Sequence, residues 1–418
     1  MLQRLKFDIA SLVNQMLDQL PQEVWKSSTT TFLDPAIGGG QFVFEIEKRL
    51  RSHGHSDENI RDRVWGFSDS TLAILYSVNK HRLIGNYHQV SYNFDKNFVT
   101  HNYNKNGMRH DFQMKFDVVV GNPPYNKGKM SSASGSGNSI WEKFLPSLWN
   151  FISDNGYVCF VHPPEWRTNR YSSRKRKASD LMFNHQIIWL KAAFPFPGAG
   201  CTVDAYVLQK TQISRKTEWQ NYDGSIYHLN IDPIADMLLN HQDEMTNKIL
   251  KKLLIAQNDN VFCRKAMGGL VILDKKLTGS FELVKGAKFA RKISSHPHIH
   301  QNKLKVIMSD NRDFRPFIDE GKLGIEDHVH YAIFEDIAAA EWFVELVNSR
   351  LSRFLQWAFC EGYDAANGKH GHEAWNSAIP FKMLRLSDER IEGNVDEYFY
   401  KFYSLSSREI DYIEKRVK

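Results

Sequence analysis

The chain has 418 residues, enough for two domains of ordinary size, and its 42% hydrophobic and 24% charged content is that of a globular enzyme. Lys+Arg 54 against Asp+Glu 48 leaves a net charge of +6 and a pI near 8.9, a balance that permits a nucleic-acid partner without requiring one. No run approaches a membrane span, the N-terminus lacks the apolar core of a signal peptide, and Cys159, Cys201, Cys263 and Cys360 form no Cys-x-x-Cys pair, so a reduced, cytoplasmic protein with no membrane and no zinc site is expected.

Residues 7–20 carry apolar positions at helical spacing. A short strand over Thr29–Leu33 then runs into Asp34-Pro35-Ala36-Ile37-Gly38-Gly39-Gly40 and a helix from Gln41. Strand, acid, glycine turn and helix let the backbone pass close to a ligand. The carboxylate of Asp34 suits a cationic ligand, where a phosphate site would avoid one. A charged helix and linker occupy residues 45–63, and Val64-Trp65-Gly66-Phe67-Ser68-Asp69 reads as the second strand. In a doubly wound nucleoside-binding sheet the acid at this strand end takes ribose hydroxyls, and Asp69 is the candidate. A helix is predicted from about Thr71 to Leu83. Phe94-Asp95 is the one plausible acidic strand end in the polar stretch after it.

Phe116-Asp117-Val118-Val119-Val120-Gly121 is an apolar, β-branched run that stops at Asn122-Pro123-Pro124-Tyr125. It reads as a buried strand of a parallel sheet. The prolines stiffen the loop that follows, which lies at the carboxyl end of the strand, where open α/β sheets bind ligands. An amide beside a stiff carbonyl can accept two hydrogen bonds from one exocyclic amino group, and a tyrosine ring can stack on the flat base that bears it. Residues 126–139 are rich in glycine and serine and read as a flexible loop suited to order over a substrate. An apolar helix is predicted over 140–152, and a core strand over 156–161 leading into His162-Pro163-Pro164-Glu165-Trp166 and the basic run Arg174–Lys177. Residues 185–190 and 203–209 read as a hairpin-like edge. Between them Phe196 sits on a proline-stiffened loop, either as a core plug or as an aromatic wall opposite Tyr125.

Alternation of strand and helix stops near residue 212, and a domain boundary is placed near 225. Basic residues are dispersed through the second part, among them Lys288, Arg291, Lys292, Arg312 and Arg315. His296-Pro297-His298-Ile299-His300 invites a metal reading, but no Cys or acidic partner stands at ligand spacing, so no metal is expected. Helical spacing returns over 337–359. Ser406-Ser407-Arg408-Glu409 is a capping-box start for a terminal helix.

The Asp34–Gly40 turn, an acidic second-strand end and Asn122-Pro123-Pro124-Tyr125, in that order, resemble the S-adenosylmethionine-dependent DNA adenine-N6 methyltransferases. The cofactor-first order is similar to their gamma arrangement in type II restriction–modification systems. The resemblance spans most of residues 7–210. It implies a Rossmann-like doubly wound α/β sheet as a catalytic domain over residues 1–225, a mixed α+β target-recognition domain over 226–400, and a C-terminal helix over 401–418. It also implies S-adenosylmethionine as cofactor, double-stranded DNA as partner and a cognate restriction endonuclease acting separately. The cofactor would be held by Asp34, Pro35, Ala36, Gly38, Gly40, Asp69, Asp95 and Asn122. Ser68 stands where the common pattern has the ribose acid, and Asp69 follows it. The target adenine would be flipped out of the duplex. Asn122 and Pro123 would accept its amino protons, on the loop stiffened by Pro124, and Tyr125 and Phe196 would sandwich the base. Methyltransferases acting on RNA or on protein glutamine share the Asn-Pro-Pro-Tyr motif, and a non-catalytic DNA-binding relict is the reading outside enzymes.

Overall fold

A computed structural model describes residues 8–93, 98–101, 114–125, 140–167, 173–196, 202–232, 238–239, 241–254, 264–265, 279–286, 288–309, 315–326, 329–364, 369–372 and 393–417. The expectations for Asp95, for 126–139, for Cys201 and Cys263, and for Arg312 lie outside these residues. The chain divides into two compact units, Met1–Leu238 and Leu239–Lys418.

In the first unit, helices α1 (Ile9–Leu17) and α2 (Gln22–Lys26) precede β1 (Phe32–Asp34). Next come α3 (Gln41–Ser52), α4 (Asp57–Arg63), β2 (Val64–Ser68), α5 (Thr71–His81), β3 (Asn86–Asn93), β4 (Phe98–His101) and β5 (Phe116–Gly121). After them stand α6 (Trp141–Leu148), β6 (Ile152–His162), α7 (Ser173–Asn184), β7 (Gln186–Pro195), β8 (Thr202–Gln209), β9 (Thr217–Gln220) and β10 (Ile226–Leu229). The strands form one sheet in the order β10-β9-β7-β8-β6-β5-β1-β2-β3-β4. Its centre is parallel: β5 pairs with β1 and β6, and β2 with β1 and β3.

The apolar run Val118–Val120 of β5 follows from burial on both faces. Val118 and Val120 pack into a core with Leu12, Val13, Phe42, Val43 and Ile46 of α1 and α3. Val119 points the other way, into a core with Phe144 and Leu148 of α6 and Met182 of α7. This alternation is the period of two of a strand.

Three sequence expectations are corrected in this unit. The helix expected over 140–152 ends at Leu148, and after a short 3-10 turn Ile152 already belongs to β6. The charged stretch 45–63 is two helices, the second capped by the Ser56 hydroxyl, which accepts from Asn59 N. The strands at 185–190 and 203–209 are not an edge, because β8 lies between β6 and β7, and β7 pairs with β9. β9 and β10 continue the sheet beyond them, with Trp219 of β9 fully buried. Trp219 and Thr217 face the core while Glu218 and Gln220 are half-exposed, a short alternation hidden in a polar stretch.

A buried ion pair ties the outgoing loop of β6 to β8. Arg167 Nε and Nη2 lie 2.9 and 3.0 Å from the Asp204 carboxylate, and both residues are fully buried. Asp204 also accepts from Trp166 Nε1 at 2.8 Å and from Ala193 N at 2.9 Å.

In the second unit, α8 (Glu244–Leu254) and β11 (Arg264–Lys265) are followed by β12 (Phe281–Lys285), β13 (Ala290–Ser294), β14 (Leu304–Ser309), β15 (Phe317–Glu320), β16 (Gly324–Ile325) and β17 (Val329–Ile333). They form sheets β11-β17-β14-β15 and β13-β12-β16. Then come α9 (Ile337–Asn348), α10 (Arg350–Cys360), the ribbon β18 (Glu361–Asp364) and β19 (Lys369–His372), α11 (Val395–Phe402) and α12 (Ser407–Arg416). The single helix expected over 337–359 is two, because Ser349 is extended (ψ 155°) and its hydroxyl accepts from Ser352 N. The capping box at Ser406 and Glu409 is formed. Lys305 is fully buried, 2.7 Å from Asp319 and donating to the carbonyls of His300, Gln301 and Lys303.

Breaking a buried pair leaves an uncompensated charge, and this costs about 3–5 kcal/mol. Asp204→Ala strands Arg167 and two further donors, so chemical denaturation should register a loss of that size. A loss below about 1 kcal/mol, the range of an exposed pair, would contradict the assignment.

Candidate functional site

β1 and β5 are adjacent and parallel, so the loops that leave them emerge on the same side of the sheet. β1 delivers Asp34, which is 2% exposed. Its Oδ1 accepts from Ala36 N at 3.0 Å, closing the turn onto the carboxylate. Gly121, the last residue of β5, makes room for it: a Cβ there would stand 3.1 Å from Asp34 Oδ1. Burial pushes the Asp34 carboxyl up to about 7, against the opposing pull of the Ala36 hydrogen bond. No basic side chain among the described residues pairs with it.

The glycine turn is held by its neighbours. Ile37 N donates to Phe67 O of β2 at 2.8 Å. Gly40 has φ +77°, and a Cβ on it would come within 2.9 Å of Ser77 Cβ. Ser77 of α5 donates to Gly38 O at 2.7 Å, and His81 Nε2 stands 3.0 Å from Gly39 O. The Pro35 carbonyl accepts from the Tyr92 hydroxyl at 2.6 Å. Ser77, His81 and Tyr92 carry no motif of their own. Their sequence signal is no more than polar positions on α5 and β3.

β5 delivers Asn122, half-buried, with Pro123 buried behind it. The Tyr125 hydroxyl donates to Asn122 Oδ1 at 2.7 Å. Tyr125 packs against the cores on both faces of the sheet. Phe196 arrives from β7 through a bulge between Lys191 and Phe194, where Ala193 has φ +47° and its N–H is bound by Asp204. The buried Arg167–Asp204 pair therefore fixes the exit of the strand that carries Phe196.

A shallow cleft joins these elements, about 590 Å³ when the solvent out to its open mouth is counted. Asp34, Ala36, Gly38, Asn122 and Phe196 all line it. Pro35, Gly40, Pro123, Pro124 and Tyr125 do not line it; Pro35, Gly40 and Pro123 are chain neighbours of lining residues, and Tyr125 reaches Asn122 through its hydroxyl. Asp69 does not line it either. It follows the end of β2, exposed, with its carbonyl accepting from Gln89 Nε2 at 3.3 Å. Burial, and then the charges of Asp69 and Asp34, push the Tyr92 hydroxyl well above the usual tyrosine range. Asp95 lies outside the described residues. Ile9, Leu12 and Val13 of α1, Phe42 of α3 and Val161 of β6, none of them singled out in the sequence, complete an apolar wall, and Gln41 of α3 adds a polar side chain to the lining. Among the described residues no group of three or more His, Cys, Asp or Glu side chains could hold a metal ion, and no helix is long and apolar enough to cross a membrane.

Residues 52–193 match the Eco57I restriction-modification methylase family. No curated protein matches the sequence. Among solved structures, a nuclease-deletion mutant of the Type ISP restriction-modification enzyme LlaGI, in complex with a DNA substrate mimic, aligns over 84% of this chain and 51% of its own, at 10% identity and a TM-score of 0.54. The Type IIL restriction-modification enzyme MmeI, in complex with DNA, aligns over 87% of this chain and 65% of its own, at 10% identity and a TM-score of 0.50. The M protein of the type I restriction enzyme EcoKI aligns over 51% of this chain and 48% of its own, at 13% identity and a TM-score of 0.38. The chain thus spans between 48% and 65% of the length of these structures. The LlaGI and MmeI likenesses are likenesses of fold. That fold is mixed α/β with a large sheet, parallel at its centre.

The folded chain holds the Asp34 proton more tightly than an unfolded chain, whose aspartate titrates near 3.8. Asp34 therefore favours folding below about pH 4, and that contribution is lost as pH rises through about 7. Asp34→Asn removes the buried charge, so its melting temperature should exceed the parent's by more at pH 8 than at pH 5. An equal difference at the two pH values would contradict the burial argument.

Proposed function

We propose that the chain transfers a methyl group from S-adenosylmethionine to the N6 amino group of adenine in a specific DNA sequence, after the base is flipped from the duplex. The observation that carries this reading is that the Asp34 turn, Asn122 and Phe196 line the same cleft. A buried carboxylate with no basic partner among the described residues, on the lining of a cleft, suits the ammonium of an amino-acid moiety. The left-handed Gly38 and Gly40 bring backbone close to the same space. S-adenosylmethionine supplies an electrophilic methyl group on a sulfonium.

The chain's own part is to bind, orient and exclude water. Asp34 neutralises the ammonium, and Asp69, the exposed residue after β2, takes the ribose hydroxyls. Asn122 Oδ1 and the Pro123 carbonyl accept the two amino protons of the adenine, which frees the nitrogen lone pair from the ring for attack. Tyr125 and Phe196 form the aromatic walls of the base pocket, and stacking of this kind is worth about 1–3 kcal/mol per base. Alignment of two bound reactants is then the main source of rate. The wall of Leu12, Val13 and Phe42 keeps the reacting atoms dry.

Double-stranded DNA is the proposed partner, with the second unit as the part that recognises the target and a restriction endonuclease acting separately. The family match over 52–193 and the fold shared with restriction-modification enzymes support this reading. Within the second unit, Lys288, Arg291 and Lys292 are exposed on the β12–β13 hairpin, and β13 is an edge strand of its sheet. Only the exposed Glu282, 3.9 Å from Arg291, offsets them in the described ion pairs.

Asn122→Ala should abolish transfer of labelled methyl groups to DNA while calorimetry finds cofactor affinity within about threefold of the parent, because the main charge contact belongs to Asp34. A variant that methylates near the parental rate sinks the reading. Replacing Lys288, Arg291 and Lys292 together by alanine should flatten the slope of log affinity against log salt by about 2 to 3, with cofactor binding untouched. An unchanged slope would remove the hairpin from the DNA surface.

A further inference from the structure

We infer that the Tyr125 hydroxyl is a positioning group that sets which end of the Asn122 amide faces the base pocket. The inference rests on the adenine-methyltransferase reading above and adds to it a second role for Tyr125 beside that of aromatic wall.

An asparagine side chain ends in two groups of opposite character, an acceptor oxygen and a donor NH₂. They are nearly the same size, so packing alone selects poorly between them. For an amino-group substrate the choice is decisive: the oxygen accepts a proton of the amino group, while the NH₂ meets it donor against donor. Asn122 is only half-buried and stands on the cleft, so the wall around it leaves the amide free to turn. A directional contact is therefore needed to hold it.

The Tyr125 hydroxyl provides that contact, donating to Asn122 Oδ1 at 2.7 Å. The ring that carries the hydroxyl is itself fixed: it is packed against the cores on both faces of the sheet, and its backbone carbonyl accepts from Ile140 N at 3.0 Å. The donor thus comes from a rigid body, three residues along the same stiff loop. A carbonyl oxygen has two lone pairs. One is taken by Tyr125, and the other stays available on the side where the amino group would arrive. The hydroxyl holds the oxygen end in place.

The inference separates two properties of one residue. Tyr125→Phe keeps the ring and removes the donor. It should lower kcat about tenfold, the effect of one hydrogen bond, and leave KM for DNA and the affinity for S-adenosylmethionine within about twofold of the parent. Fluorescence of 2-aminopurine at the target position should report base extrusion equal to the parent's. The control is Asn122→Asp, since the two oxygens of a carboxylate are equivalent and leave no orientation to set. In that background Tyr125→Phe should change kcat by less than about twofold.

The inference is overturned by a Tyr125→Phe enzyme with parental kcat, or by one whose loss lies in KM. It is equally overturned by a penalty of the same size in the Asn122→Asp background. If Asn122→Asp turns over too slowly to measure, the kcat and KM of Tyr125→Phe alone decide. Absence of methyl transfer by the parent protein would instead be a failure of the underlying reading.

Discussion

The parallel pairing of β1 with β5 is the constraint on which the site depends. Neighbouring strands lie about 4.8 Å apart, and because these two run the same way, Asp34 and Asn122 emerge side by side on one edge of the sheet. Gly121 completes the arrangement. A side chain at that position would press on the Asp34 carboxylate, since even a Cβ would stand 3.1 Å from its oxygen. Each half of the cleft is thus built from a loop whose position is set by backbone hydrogen bonds deep in the core. Neither loop has to carry its own precision.

The electrostatics of the cleft follow from the same burial. Asp34 sits where water is scarce, and a carboxyl pushed up to about 7 is one that gains from meeting a cation. On the other side, Phe196 depends on Asp204, which binds the N–H of left-handed Ala193 and the guanidinium of Arg167. A buried charged pair that does not itself line the cleft thereby shapes an apolar wall.

The two loops are legible in the sequence because strand ends, glycines and prolines leave strong local marks. The run Phe116–Gly121 can only be a buried strand, and Asn-Pro-Pro can only be a stiff exit from it. The partners that hold these loops are not legible. Arg167 and Asp204 stand 37 residues apart, and nothing local to either shows that they meet. Helix α1 shows an apolar face, but periodicity does not say that Ile9, Leu12 and Val13 close a cleft beside Asp34. Ser77 and His81 read as ordinary polar positions on α5 until the carbonyls of Gly38 and Gly39 are placed against them. The sheet also continues into β9 and β10, where the buried Trp219 and Thr217 alternate over a stretch too short to stand out.

The account turns on what the cleft does with an exocyclic amino group, and the chemistry of the product reads this directly. DNA incubated with the protein and S-adenosylmethionine, then digested to nucleosides and resolved by mass spectrometry, should contain N6-methyladenine at a defined sequence and no other methylated base. Methyl groups found on cytosine, on RNA or on protein glutamine, or no transfer at all to any of them, would contradict it.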